Sequence, residues 1–425
     1  MALNKAKQRS GIQTLIAIAL ILTSTGLVAS GIWLSIQLFI NPNAVSWMNK
    51  FLPKSAQIPV VNPEYVKNLT QIRTKIQKLG KIPGEPIPLQ TNADTLQPKS
   101  LLIPVLNQRP NCRRDCQQIV ELRLYQLARV TQPAAETYYK LVDQIPIEGL
   151  DEALAISPLV REEVTENDSN LPLPLTELHR FTDKTPTKGI WLYLMGRKMQ
   201  GINAIAYGQI LYYSPNSGLS LLSPWTSTTG VVPQWRQVTG SKSPELFIDE
   251  TVDLEPHFCV YQVKTTQSDQ NQIQLEEISL QKPALKIRAY QNAIFLARNG
   301  LWSPALKLLQ SIKQQRQQQR ESWSGEAQAQ MDLIRLYAKF TSNQAGQTWA
   351  TPSQQVLAYL IDGRWEEARQ VFQASSEDSQ EVVAMLRAEE ERLSNRVEAA
   401  LQVNPNQPEI QAWKAQILAA QSVKR

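Results

Sequence analysis

The chain has 425 residues, enough for two or three domains, and its 42% hydrophobic and 19% charged content excludes a wholly disordered polymer. Two histidines and three cysteines exclude zinc modules and haem sites of the usual kinds, which need clustered His or Cys. The formal charge of +6 is no sign of nucleic-acid binding: Lys5, Lys7, Arg9, Lys50 and Lys54 precede the first carboxylate, Glu64, and the residues after 60 carry 39 basic against 38 acidic side chains, without the concentrated basic face that phosphate binding needs.

No charged residue stands between Arg9 and Lys50, and within that gap residues 11–40 form a continuous apolar run. A bilayer core about 30 Å thick needs about 20 such residues, so the run predicts a single transmembrane helix. A cleaved signal peptide is the alternative, but the apolar stretch is longer than a typical signal core. The basic residues before the span place a tail of residues 1–10 in the cytoplasm and the bulk of the chain in a periplasm or lumen. Residues 41–110 read as a stalk. Asn62, Pro63 and Glu64 open a helix over 63–79, which Gly80 ends, and six prolines from Pro83 to Pro110 predict an extended connector with a strand at 101–106.

Residues 111–282 read as a mainly antiparallel, sandwich-like β domain. Strands are expected around 120–125 and at 189–198, 202–213, 218–223, 233–239, 245–250, 257–265 and 273–280. A helix is expected after Thr131 and Pro133, carrying Tyr139, Leu141, Val142 and Ile145, and the stretch 143–185 is expected to be a solvated excursion. Cys112 and Cys116 are spaced for a disulfide at a loop or helix end, with reduced thiols or a redox or metal pair as the lesser readings. Trp191, Trp225 and Trp235 either form the core and rim of the sheet or give a platform on which sugars stack.

Residues 283–425 are helical in pattern. Ala293–Leu309 and Val356–Phe372 share Gly-x-Trp-x-x-Ala with a bulky residue four places on, at Gly300, Trp302, Ala305 and Leu309 and at Gly363, Trp365, Ala368 and Phe372. Glycine ends one helix in the left-handed conformation, the aromatic fills the hinge, and the alanine lets two helices cross closely. Ala400, Leu401, Asn404, Pro405, Pro408 and Glu409 give a third, partial copy. This stretch resembles tetratricopeptide-repeat arrays, although the two glycines are 63 residues apart, not two periods of 34. The whole chain also resembles membrane-anchored proteins of cyanobacteria.

The expected fold class is therefore α+β and multidomain, with one N-terminal transmembrane helix, a β-sandwich-like domain and a C-terminal all-α, repeat-like array. No catalytic, metal or cofactor site is expected. His179 and His257 stand without a nucleophile or metal motif, and Cys259 reads as a buried thiol. Asp249, Glu250, Asp253 and Glu255 are acids at strand ends, which leaves a hydrolase as one alternative. The favoured function is a membrane-tethered, non-enzymatic scaffold or assembly factor that holds protein or peptide clients in a helical groove through Tyr359, Arg364, Arg298 and Arg335. The other alternative is glycan or cell-wall binding through the three β-domain tryptophans.

Overall fold

The computed structural model describes residues 66–91, 98–109, 112, 116–128, 137–156, 172–186, 189–200, 203–265, 272–375 and 379–422. Among these, no helix is long and apolar enough to cross a membrane. The expectation of a single-pass membrane protein is corrected accordingly. Residues 11–40, which carried it, lie outside the described residues, and the cytoplasmic and periplasmic or lumenal placements fall with it. The described chain is α+β, built of β-sheets followed by a helical region, and it divides into two compact units at Ile147/Glu148.

The first unit is one antiparallel sheet. Strands β1 (Val66–Asn68), β6 (Tyr138–Pro146), β5 (Gln117–Leu127), β4 (Pro98–Gln108) and β2 (Ile82–Pro83) lie side by side in that order, with β3 (Ile87–Thr91) also on β4. One helix, α1 (Leu69–Lys78), packs Ile72 and Ile76 onto Leu101, Ile103, Val105 and Tyr125. Its start is a capping box, in which the Asn68 side chain accepts from the Gln71 amide while the Asn68 amide donates to the Gln71 side chain. The helix therefore begins six residues after the Asn62 expected from the sequence.

The expected connector is not a connector. Pro83, Pro88, Pro98 and Pro104 all sit in strands, on short edge strands, at a strand start, or beside the register irregularity at Val105/Leu106. Those are the places where a missing N–H is tolerated. The helix expected after Pro133 is also corrected, because Tyr138–Pro146 pairs with β5. Residues 111–147 thus belong with the supposed stalk and not with the strands that follow. Cys112 and Cys116 are disulfide-bonded with alpha carbons 5.3 Å apart, and the Arg109 amide donates to the Cys116 carbonyl.

Within β5, Glu121 is buried and held by Arg123 and by Lys81, the latter at 2.9 Å. Burial opposes its ionisation, but hydrogen bonds and charge from Arg123 and Lys81 outweigh it and keep the carboxyl below its usual range. A folded value below the unfolded one means that the contribution to stability is complete above about pH 4.3 and is lost as pH falls further. Hydrogen-exchange protection of 117–127, corrected for intrinsic rates, should therefore drop more steeply on acidification in the wild type than in Glu121→Gln.

The second unit opens with α2 (Glu152–Ile156) and two four-stranded antiparallel sheets. One runs β10 (Gly218–Ser227), β9 (Asn203–Ser214), β8 (Ile190–Gln200), β7 (Glu177–Arg180). The other runs β11 (Gln234–Arg236), β12 (Glu245–Asp249), β13 (Phe258–Thr265), β14 (Ile273–Glu277). They enclose a shared core that includes Trp191, Met195, Ile210, Trp225, Trp235, Leu246 and Ile248, in a half-barrel arrangement. The expected excursion contributes β7 to this sheet. The three tryptophans are 1–6% exposed, with Trp191 and Trp235 edge to face at 4.6 Å, so they pack as core and form no exposed platform. The glycan platform is corrected to core.

Eight helices complete the unit: α3 (Arg288–Arg298), α4 (Trp302–Gln318), α5 (Gly325–Ala345), α6 (Pro352–Asp362), α7 (Trp365–Ala374), α8 (Ser379–Ala388), α9 (Glu390–Val403) and α10 (Pro408–Ser422). Gly300 and Gly363 have φ of 76° and 73° and close the α3–α4 and α6–α7 hairpins. Ala305, Leu309 and Ala368 are fully buried at the expected crossings. Most consecutive helices pack together, although α8 lies against α6 rather than α7; α9 also lies against α3 and α10 against α7 and α8, so the last hairpin returns to the first. In an open solenoid each repeat touches only its neighbours.

A methyl group on Gly363 would have to hold the left-handed conformation and would stand 2.8 Å from Pro304. Gly363→Ala should cost about 1–2 kcal/mol or more in urea denaturation. Gly325, at the start of α5 with open space around it, gives the control: Gly325→Ala should stabilise by about 0.4–1 kcal/mol.

Candidate functional site

A cleft of about 660 Å³ lies in the second unit, between the β13–β14 surface and helix α5. Its position follows from strand periodicity. Successive residues of β13 face opposite ways. Cys259, Tyr261 and Val263 join the inter-sheet core, while Phe258 and Val260 pack with Phe247 on Leu333 and Tyr337 of α5. Where that apolar seam ends, the same face continues as Gln262, Lys264 and, from β14, Glu276, and these line the cleft. Lys282 and Glu326 line it as well, and the Thr239–Ser241 backbone forms a rim.

Buried polar side chains fix each wall. The Gln330 amide is 2% exposed and fully used: its oxygen accepts from the Tyr290 hydroxyl (2.8 Å) and the Ala284 amide (3.1 Å), and its nitrogen donates to the carbonyls of Ser279 and Lys282 (both 2.8 Å). Asp332 accepts from the Gly240 amide (3.1 Å), Gln328 (2.8 Å) and Arg335. Glu245, fully buried, accepts from the amides of Val238 (2.9 Å) and Thr239 (3.2 Å) and from the Thr239 and Ser241 hydroxyls. The Tyr337 hydroxyl donates to the Phe258 carbonyl at 3.0 Å and accepts from its amide at 2.7 Å, which bolts α5 to the start of β13. Glu277, at the edge of the cleft, is pushed upward by partial burial, with His257 opposing and Glu250 adding to the shift.

The four residues expected to contact a client do not converge. Arg364 bonds Asp362 (2.9 Å) and Ser342 (2.6 Å) and lies over the Tyr359 ring at 5.9 Å. Asp362 also accepts from Ser303 and Thr341, so Arg364 and Tyr359 belong to a polar joint among α4, α5 and α6. Arg335 holds Asp332, Arg298 is exposed on α3, and none of the four lines the cleft. The acid pairs of the hydrolase alternative are likewise engaged. Asp249 accepts from the Thr251 amide, Glu250 meets His257, and Glu255 is gripped by Arg392 and Arg396; Asp253 takes a left-handed turn conformation. His179 stacks on Tyr193 and bonds Glu177 at 2.7 Å.

Sequence reasoning missed Gln330, Glu245, Lys264 and Lys282. A lone glutamine on an amphipathic helix and a glutamate opening a strand look like surface residues until the tertiary partners are in place. No protein-family model and no curated protein matches the chain.

Gln330 generates a direct prediction. Gln330→Leu keeps the volume but strands the Ala284 amide and the Ser279 and Lys282 carbonyls, at about 1–3 kcal/mol for each group left unpaired. The unfolding free energy should fall by about 3 kcal/mol, whereas Gln310→Leu, at an exposed position on α4, should lose under about 1 kcal/mol.

Proposed function

We propose that the protein is a partner-binding protein, a scaffold or assembly factor, and that it takes a polar peptide segment of its client in the cleft between β13–β14 and α5. The single observation carrying this reading is the lining. Lys264, Lys282, Glu276 and Glu326 offer both signs of charge around a cavity of about 660 Å³, and the exposed Lys264–Glu276 pair is separated by 3.8 Å. A peptide presents alternating donors, acceptors and charges of that kind. Rigid walls help too, because a site held by buried hydrogen bonds loses little freedom when a ligand orders in it. The helical region contributes α5 as one wall, so the likeness of its hairpins to repeat arrays that bind peptides points the same way without requiring an open groove.

Removing residues 283–425 is not a clean test, since it would uncover Phe247, Phe258 and Val260. A photo-crosslinking amino acid placed in the full-length chain is. Installed at Gln262 or Lys282 it should give discrete adducts, and with the crosslinker at Gln262 the changes Lys264→Glu and Lys282→Glu should reduce them at least fivefold. Installed at Arg298 or Arg364 it should give none. Equal adducts at all four positions, or adducts indifferent to the charge reversal, would remove the cleft as the binding surface.

A further inference from the structure

At the closed end of the β12–β13 hairpin three side chains of different ligand chemistry meet. The Glu250 amide donates to the His257 carbonyl at 2.8 Å, so these residues face one another across the hairpin and their side chains emerge on one side. Cys259 follows His257 by two positions in the extended run that leads into β13 and therefore shares that side, opposite Ile248. The His257 Nδ1 lies 2.8 Å from the Glu250 Oε2, and one carboxylate oxygen, one imidazole nitrogen and the Cys259 Sγ all fall within 4.8 Å of one another. We infer that Glu250, His257 and Cys259 form a binding site for a divalent transition-metal ion, with zinc(II) the best match.

The donor set selects the ion. Calcium and magnesium take oxygen ligands, and a thiol with an imidazole has nothing to offer them. One oxygen, one nitrogen and one sulfur suit a borderline ion that accepts all three. Charge balance agrees, because Glu250 and a Cys259 thiolate supply two negative charges against the two positive charges of the ion, leaving a neutral cluster on a sheet surface that is already partly buried. The ion displaces the thiol proton to solvent and replaces the Glu250–His257 hydrogen bond, with the neutral imidazole keeping its one proton on the nitrogen that does not ligate. Metal–ligand bonds of about 2.0–2.3 Å put tetrahedral donors about 3.3–3.8 Å apart. Small rotations of three side chains bring the present grouping to that size. Three protein ligands leave a fourth position, and it opens to solvent, since the His257 side chain is 62% exposed.

The support around the cluster is built in. The hairpin tip carries a Val252–Glu255 bridge, and Glu255 is clamped by Arg392 (3.1 Å) and Arg396 (2.6 Å) of α9. Its backbone is therefore fixed from two sides before any ion arrives, as a site needs.

The test is metal titration of the full-length protein, stripped with a chelator and kept reduced with a non-thiol reductant. It should bind one equivalent of Zn²⁺ in competition with a chromogenic chelator, and Co²⁺ in its place should give a thiolate-to-cobalt charge-transfer band. Cys259→Ser should abolish the band. His257→Gln, at an exposed position that the fold does not depend on, should weaken Zn²⁺ binding by at least the roughly 10–100-fold that even outer-shell changes cost. Cys112→Ser with Cys116→Ser should bind as wild type. A wild type without the band, a band that survives Cys259→Ser, or loss of binding with the Cys112 and Cys116 pair overturns the site. Should Cys259→Ser fail to fold, His257→Gln decides alone, because wild-type affinity in that variant is incompatible with the proposed ligand set.

Discussion

Strand β13 carries the architecture of the second unit, because its two faces serve two different cores at once. Cys259, Tyr261 and Val263 pack with Leu246 and Ile248 toward the opposing sheet, while Phe258 and Val260 pack toward Leu333 and Tyr337 of α5. A strand buried on both faces cannot slip by one residue without exchanging every side chain between the cores. The two hydrogen bonds between the Tyr337 hydroxyl and the Phe258 backbone pin the register at one end, and the pairing Tyr261–Glu277 carries it across to β14. The cleft opens where the helix-side face turns polar. The Glu250, His257 and Cys259 grouping sits where the sheet-side face reaches the hairpin. Both proposed sites are thus ends of the same alternation.

Polar residues inside this unit do the joining that apolar contact alone leaves unspecified. Apolar packing is tolerant of small shifts, whereas a buried amide with four partners is not. Gln330 ties the strand-to-helix connection at Ser279–Ala284 to α5, Asp332 ties the 238–243 loop to the same helix, and Asp362 ties α4, α5 and α6 together. These three residues are 1–3% exposed. Each would be costly to bury without its partners, so each is informative about which elements must meet.

Legibility in the sequence followed the range of the signal. The strands between 189 and 265 and the hairpins at Gly300 and Gly363 were readable because period-two alternation and a helix-ending glycine are local properties. The first unit was misread for a local reason as well. Proline density argued for an extended connector, yet prolines are also admitted at strand edges and irregularities, and nothing within the segment distinguishes the two until β4 finds β5. The Asn68–Gln71 capping box was present in the sequence and outweighs the Asn62–Pro63 signal, since it satisfies two orphan helix donors at once. Trp191, Trp225 and Trp235 carried no positional information without knowing which face of each strand is inward. The Glu250, His257 and Cys259 grouping was illegible for another reason: six residues stand between Glu250 and His257, and only the hairpin register brings them opposite one another.

The repeated hairpin motif shows how a local signal can be right about a turn and silent about assembly. Both hinge glycines adopt the left-handed conformation that the motif requires. Each is also a docking point for a later or earlier hairpin. A side-chain carbon on Gly363 would meet Pro304 at the start of α4, and one on Gly300 would meet the guanidinium of Arg396 on α9, at 2.8 Å or less in each case. The first contact joins neighbouring hairpins, as a repeat array would. The second joins the last hairpin to the first, and Arg396 passes from Gly300 to Glu255 in the β12–β13 turn. The same bare hinge that lets two helices turn therefore also admits the residue that closes the helical region onto the sheet.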